Sequence, residues 1–300
     1  MPLLARRVEL VRREASRFRQ QRANERVAID ESEEFIDAVR DELEAPAQNV
    51  DDPDVPGAIE RGGDVASLVI PGLLLGGLAG AMAERGLRRG REFGAQYAPR
   101  RVESAARDIA SRATLGAKAT EWARAHAARL VTEVTEGTRD AIRRVVTEGL
   151  RRGAHTGAVK KDLKQLVGLH SRQALAAMRF RAGLETKGLA GDLVDRRVER
   201  YARKLRDQRA ETIARTEMFT AIGQGRVELW NELEDEGEIS KAEFKRSWMT
   251  AHDERVDDIC QELEDYGSVG MDEPFIGSEG EFFSEIAHIG CRCIVVVEEV

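Results

Sequence analysis

The chain has 300 residues, 42% hydrophobic, 5% aromatic and 34% charged. That is enough apolar material for cores in two or three domains, and the shortage of aromatics points to helices. Three cysteines, all beyond residue 259, exclude a disulfide-built secreted scaffold, and seven prolines exclude a long proline-rich disordered chain. No charged segment followed by an apolar stretch and a small-residue cleavage site opens the sequence, so a secretory leader is not expected.

The net charge of −7 hides an asymmetry. Residues 231–300 hold 20 acidic and 5 basic residues, whereas the first 230 carry a net +8. The front part tolerates a phosphate-rich neighbour and the tail does not. Of the 47 basic residues, 39 are arginine. The guanidinium fork suits phosphate, but acids interleave the arginines almost everywhere, which favours solvated faces.

Residues 3–44 read as a helix with one narrow apolar seam, Leu4, Val8, Val11, Ala15 and Phe18, suited to a partner helix. Residues 45–63, with Pro46, Pro53, Pro56 and several aspartates, read as a linker. The uncharged run 65–83 is within the roughly 17–25 residues that span a bilayer as helix. Gly72, Gly76 and Gly80 put three bare backbones on one helix face, open to a close neighbour, and Pro71 starts or kinks that helix. A buried helix or hairpin is the favoured reading of this run, with membrane contact as the alternative. The arginine-rich stretch 84–101 reads as a solvated face.

Residues 101–236 show an almost unbroken helical pattern, with Val131, Val134, Thr138, Ile142, Val145 and Gly149 on one face and Val194, Val198, Tyr201 and Leu205 on another. Gly153 and Gly157 bracket a loop, and Asp162 opens a short helix ending near Gly168. The last 57 residues differ. Phe244–Thr250 reads as a strand, Val256–Asp265 as a helix, 267–290 as loop and Cys293–Val297 as a strand. The predicted fold is mainly α: an elongated helical body with a small C-terminal α+β lobe. Its divisions are 1–63, a helix and linker; 64–100, a glycine-rich apolar segment; 101–240, the body; and 241–300, the lobe.

The lobe holds every cysteine, as Asp257-x-x-Cys260 and His288-x-x-Cys291-x-Cys293. Two short-spaced clusters of thiolate and imidazole are what tetrahedral zinc needs, and a small lobe gains from a metal staple. Cys260, His288, Cys291 and Cys293 are the expected ligands of a structural zinc, with Asp257 as fourth ligand if Cys293 faces the core. A Cys260–Cys291 disulfide and three plain buried thiols are the alternatives. Asp253 is expected to cap the helix near Val256. Gly223-x-Gly225 lies inside a helical pattern, which disfavours a phosphate loop.

Three stretches carry a resemblance. Arg209-Ala-Glu-Thr-Ile-Ala-Arg-Thr-Glu217, with Ala221 and Trp230 following, resembles the motif of phage head-morphogenesis proteins of the Mu F-like minor head family. Trp248-x-x-x-x-Asp253-x-Arg255-x-x-x-x-Cys260, Asp272-Glu-Pro-Phe275 and the final His288-x-x-Cys291-Arg-Cys293 are similar to that family's C-terminal pattern, and Gly168-Leu-His-Ser-Arg-Gln-Ala174 looks like an upstream element. The resemblance covers about residues 120–300. Asp257 stands where members often have cysteine, and Gly290 where proline is common.

The resemblance implies a minor protein of a tailed-virus head, associated with the portal inside the virion and acting in head assembly or genome delivery after assembly in the host cytoplasm. The expected partners are the portal and other head proteins, a second copy of the chain, and packaged DNA through sequence-blind phosphate contact. No chemistry of its own is expected. The rival reading is a metal-dependent hydrolase or nuclease built on His252-Asp253 and His288. A catalytic metal needs an open position, and an acidic lobe repels DNA, so this ranks second.

Overall fold

The computed structural model of the protein describes residues 2–283 and 286–300, with side chains from Glu14 onward. Leu4, Val8 and Val11 of the predicted seam therefore lie outside the described residues. Ten α-helices appear among the described residues: α1 (Pro2–Glu44), α2 (Asp54–Arg61), α3 (Val65–Val69), α4 (Gly76–Gln96), α5 (Glu103–Ser111), α6 (Ala117–Arg151), α7 (Thr156–Leu166), α8 (Ser171–Thr186), α9 (Gly191–Asp235) and α10 (Asp258–Asp265). Five strands join them: β1 (Phe244–Met249), β2 (Ser268–Gly270), β3 (Phe275–Gly277), β4 (Gly280–Phe282) and β5 (Ile294–Glu299). The fold is mainly α with a small C-terminal strand lobe. The chain divides into two compact units, one of residues 1–33, 80–125 and 215–300, the other of 34–79 and 126–214.

The second unit is wholly helical. The face predicted on α6 is its core: Val131, Val134, Thr138, Ile142 and Val145 are all buried, as are Val194 and Val198 of α9. Gly168 sits at φ +84°, between α7 and α8. A Cβ there would come within 2.3 Å of the Leu43 carbonyl oxygen, so only glycine fits. Arg209 of α9 lies beside it. Its guanidinium donates to the carbonyls of Gly168 (2.7 Å) and Val134 (3.2 Å) and to Thr138 Oγ1 (3.0 Å). His170 then caps α8 in a capping box with Gln173, and His155 caps α7. Helix α7 starts at Thr156, ahead of the predicted Asp162, because His155 supplies the missing acceptor.

Two segments depart from the sequence reading. Residues 45–61, read as a linker, form a 3-10 turn and α2, and bury Pro46, Val50, Val55, Ala58 and Ile59. Their prolines stand at or near the start of each turn, where an absent N–H is tolerated. The uncharged run 65–83 is broken after five helical residues. Asp64 caps α3, then Pro71 and the following glycine stop it. Among the described residues no helix is long and apolar enough to cross a membrane. A Cβ at Gly72, Gly76 or Gly80 would meet nothing within 4 Å, so that glycine face receives no neighbour.

The close approach comes later on α4, in the first unit and within the arginine-rich stretch. A Cβ at Gly86 would lie 2.3 Å from the Ala221 methyl, at Gly90 2.1 Å from the Ile222 carbonyl oxygen, and at Gly94 2.8 Å from Leu229. Gly225 answers from α9, 2.2 Å from the Leu87 oxygen by the same measure. Glycine at every fourth position on α4 thus brings two backbones together.

In the lobe, β2, β1 and β5 form an antiparallel sheet in that order, with Trp248 opposite Val295 and Met249 opposite Ile294. Strands β3 and β4 make a separate hairpin. The segment 267–290, read as loop, therefore holds three strands, each only three residues long, too short to show alternation. Phe244 stacks on Trp230 of α9 (5.0 Å) and Trp248 on Phe275 (5.5 Å).

Two substitutions test these contacts. Val134→Asp buries an unpaired charge and should cost about 3 kcal/mol or more in denaturant unfolding; a change within about 0.5 kcal/mol would show a misread face. Gly90→Ala should destabilise by about 1–3 kcal/mol through overpacking, although alanine is the better helix former by about 1 kcal/mol. A gain in stability would mean the helices are not in contact there.

Candidate metal centre

The three cysteines come from separate pieces of the lobe. Cys260 lies on the buried side of α10, with Ile259 and Leu263. Cys291 follows a turn closed by its own N–H on the His288 carbonyl (3.1 Å), with Gly290 at φ +79° as such a turn requires. Cys293 leads into β5. Their sulfur atoms all lie within 4.8 Å of one another. All three are free thiols, at most 3% exposed, set among Trp248, Leu263, Val269 and Phe275.

The trio has a clear electrostatic order. Cys291 is the thiol that ionises first, because Cys260 and Cys293 direct S–H bonds to its sulfur. Cys260 is pushed up to about 12 by its bond to Cys291, and Cys293 is raised by its bonds to both other thiols. Three thiolates at this spacing need a cation between them. Sulfurs on a tetrahedral metal with bonds of about 2.3 Å stand about 3.8 Å apart, and the Cys260–Cys291 separation is 3.6 Å. The residues present therefore fit a thiolate-bound metal.

Of the other predicted ligands, neither joins the cluster. His288 is half-buried with Nδ1 3.0 Å from the Ile289 carbonyl oxygen. Asp257 is the N-cap of α10, accepting from the Ile259 N–H at 3.3 Å. His252 adopts φ +52°, and its Nε2 lies 2.7 Å from Glu264 Oε1, whose other oxygen accepts from the Thr250 hydroxyl.

Asp253 does not cap α10. Its side chain accepts from the Arg255 N–H (3.0 Å) and takes both ends of the Arg292 guanidinium, at 2.6 and 2.8 Å. Arg292 reaches Glu25 of α1 as well (3.4 Å), and its own carbonyl accepts from Gln21. The Arg292 bonds hold the Asp253 carboxyl well below the usual range. Arg246, on β1, was also not singled out. It donates to the carbonyls of Gly270, Phe283 and Glu273 and so gathers the segment around β3 and β4. Arginine within Cys-Arg-Cys was a visible signal for Arg292; nothing local marked Arg246.

A helical protein ending in a small strand lobe with three clustered thiols is the class this geometry defines. Residues 140–296 match the family described as Phage Mu protein F like protein, and the chain belongs to that family, which makes it a phage head protein. The match spans both Arg209 with its helix and the thiol lobe. No curated protein and no solved structure matches the chain.

The Asp253–Arg292 pair gives a pH test. A carboxyl held low in the fold adds stability above its unfolded value of about 4, which is lost as pH falls through the depressed native value. Asp253→Asn should lower the urea midpoint at pH 7, and the gap to the parent protein should close below about pH 4. A gap independent of pH would place the effect elsewhere.

Proposed function

We propose that this protein is a portal-associated minor component of the phage head interior, acting in head assembly and genome delivery rather than in a chemical step. The match to the Mu F-like family over 140–296 is the observation that carries this reading. The donor set adds to it. Three mutually bonded, buried thiols form a soft, enclosed site, which suits a structural metal, whereas catalysis needs an open coordination position. In this reading the metal is zinc, held by Cys260, Cys291 and Cys293, with His288, from the turn that carries Cys291, as fourth ligand. Zinc there would tie α10 to the start of β5. The last 70 residues carry net −15, which is adverse to the DNA approach a nuclease requires. Contact with packaged DNA would instead use arginines of the first 230 residues, on phosphate and without sequence preference.

Two measurements check this. Protein purified without chelator should contain about one zinc per chain, and Cys291→Ser should lose it; absence of any transition metal would remove the staple. The purified chain should bind a ring of its cognate portal protein and leave DNA intact with magnesium, manganese or zinc. Cleavage that disappears in a folded His252→Ala variant would favour the nuclease, and failure to bind any head component would defeat the placement at the portal.

A further inference from the structure

Away from the thiols, the first unit encloses a chamber of about 70 Å³ lined from α1, α4, α9 and the sheet. Two buried guanidinium groups face it. Arg226, 6% exposed, donates to Asn24 (2.9 Å) and lies 5.2 Å over the Phe93 ring. Burial lowers its pKa to about 9. Arg246, 5% exposed, has only main-chain carbonyls as hydrogen-bond partners among the described residues. A guanidinium carries five N–H donors, so donors remain after those three bonds. The one carboxylate on the described wall, Asp272, is exposed and already paired with Lys241 at 2.9 Å. Asn231 of α9 adds a neutral amide.

Two buried cations facing one space repel each other, and each has left water at a cost of several kcal/mol. An anion between them would offset both. At about 10–15 Å³ of such volume per water, the chamber holds about five water-sized groups, as many as the heavy atoms of a phosphate. Guanidinium pairs are also the side chains best shaped to grip phosphate oxygens.

We propose that this chamber binds a small phosphate-type oxyanion, held between Arg226 and Arg246. The ion comes either from free phosphate or from the terminal phosphate of a DNA strand. The site is independent of the thiol cluster and of portal binding.

The test uses the full chain, with inorganic phosphate titrated against chloride at constant ionic strength and followed by phosphorus NMR and thermal unfolding. The expected result is saturable binding that raises the melting temperature and weakens at least tenfold in Arg246→Gln and in Asn231→Leu. If Arg246→Gln does not fold, Asn231→Leu, a half-buried neutral change, carries the test. No saturable binding, or equal affinity in Asn231→Leu, overturns the proposal. A second arm compares a 5′-phosphorylated oligonucleotide with the same strand unphosphorylated. Competition with phosphate by the phosphorylated strand alone assigns the site to a DNA end; no difference between the strands assigns it to the free ion.

Discussion

The backbone contact between Gly90 and Gly225 is the constraint on which the first unit depends. With no side chain between them, α4 and α9 approach until a single added methyl group at Gly90 would overlap a carbonyl oxygen. Contacts this close gain dispersion and weak Cα–H···O bonds along the whole crossing. They also place what α9 carries. Arg226 and Leu229 flank Gly94, and Trp230 receives Phe244 at the start of β1. A chain with 5% aromatic residues has few large side chains for its cores. Close helix packing on glycine is the other way to reach interior density.

The second constraint is internal charge. Arg91, Arg206, Arg209, Arg226 and Arg246 are each at most 8% exposed. Such burial costs several kcal/mol per ion unless the donors are used. Most of these are used on carbonyls that regular structure leaves open: Ile109 and Thr114 for Arg91, Gln165 and Val167 for Arg206, Gly168 for Arg209, and Gly270, Glu273 and Phe283 for Arg246. Helix ends and irregular loops have unsatisfied acceptors, and a planar five-donor fork serves several at once. Lysine, with one compact head, would not. The preference for arginine thus has an interior cause as well as any surface one.

This explains which parts of the molecule were legible from sequence. The α6 face was, because 3.6-residue spacing is local, and so was the approach of Cys260 to the Cys291–Cys293 pair, because short thiol spacings restrict the geometry. The helix over 54–61 was hidden by prolines that sit where helices tolerate them. The glycines at 72, 76 and 80 drew attention by lying in an apolar run, while the glycines that make contact, at 86, 90 and 94, lay among charges. Arg209 and Arg246 were unreadable for a different reason. Their partners lie 24 to 75 residues away in the chain, so no window of sequence contains the interaction. Asp257 and His288 had suitable spacing, but spacing could not show that Asp257 is needed as a helix cap.

The family match gains a physical meaning from these contacts. Arg209 opens the helix motif and binds the glycine that opens the upstream element, Gly168, whose backbone admits no side chain. Arg292 separates the two final cysteines and pairs with Asp253 of the preceding element. Motif residues that look like separate signatures are therefore partners in two hydrogen-bonded devices, one in each unit. The thiols stand apart from this scheme. Nothing in the fold requires three cysteines where ordinary apolar side chains would pack the same space, and mutual S–H bonds are weak. Burying them together is hard to explain by packing alone, and a soft cation is the one ligand class that makes use of all three at once.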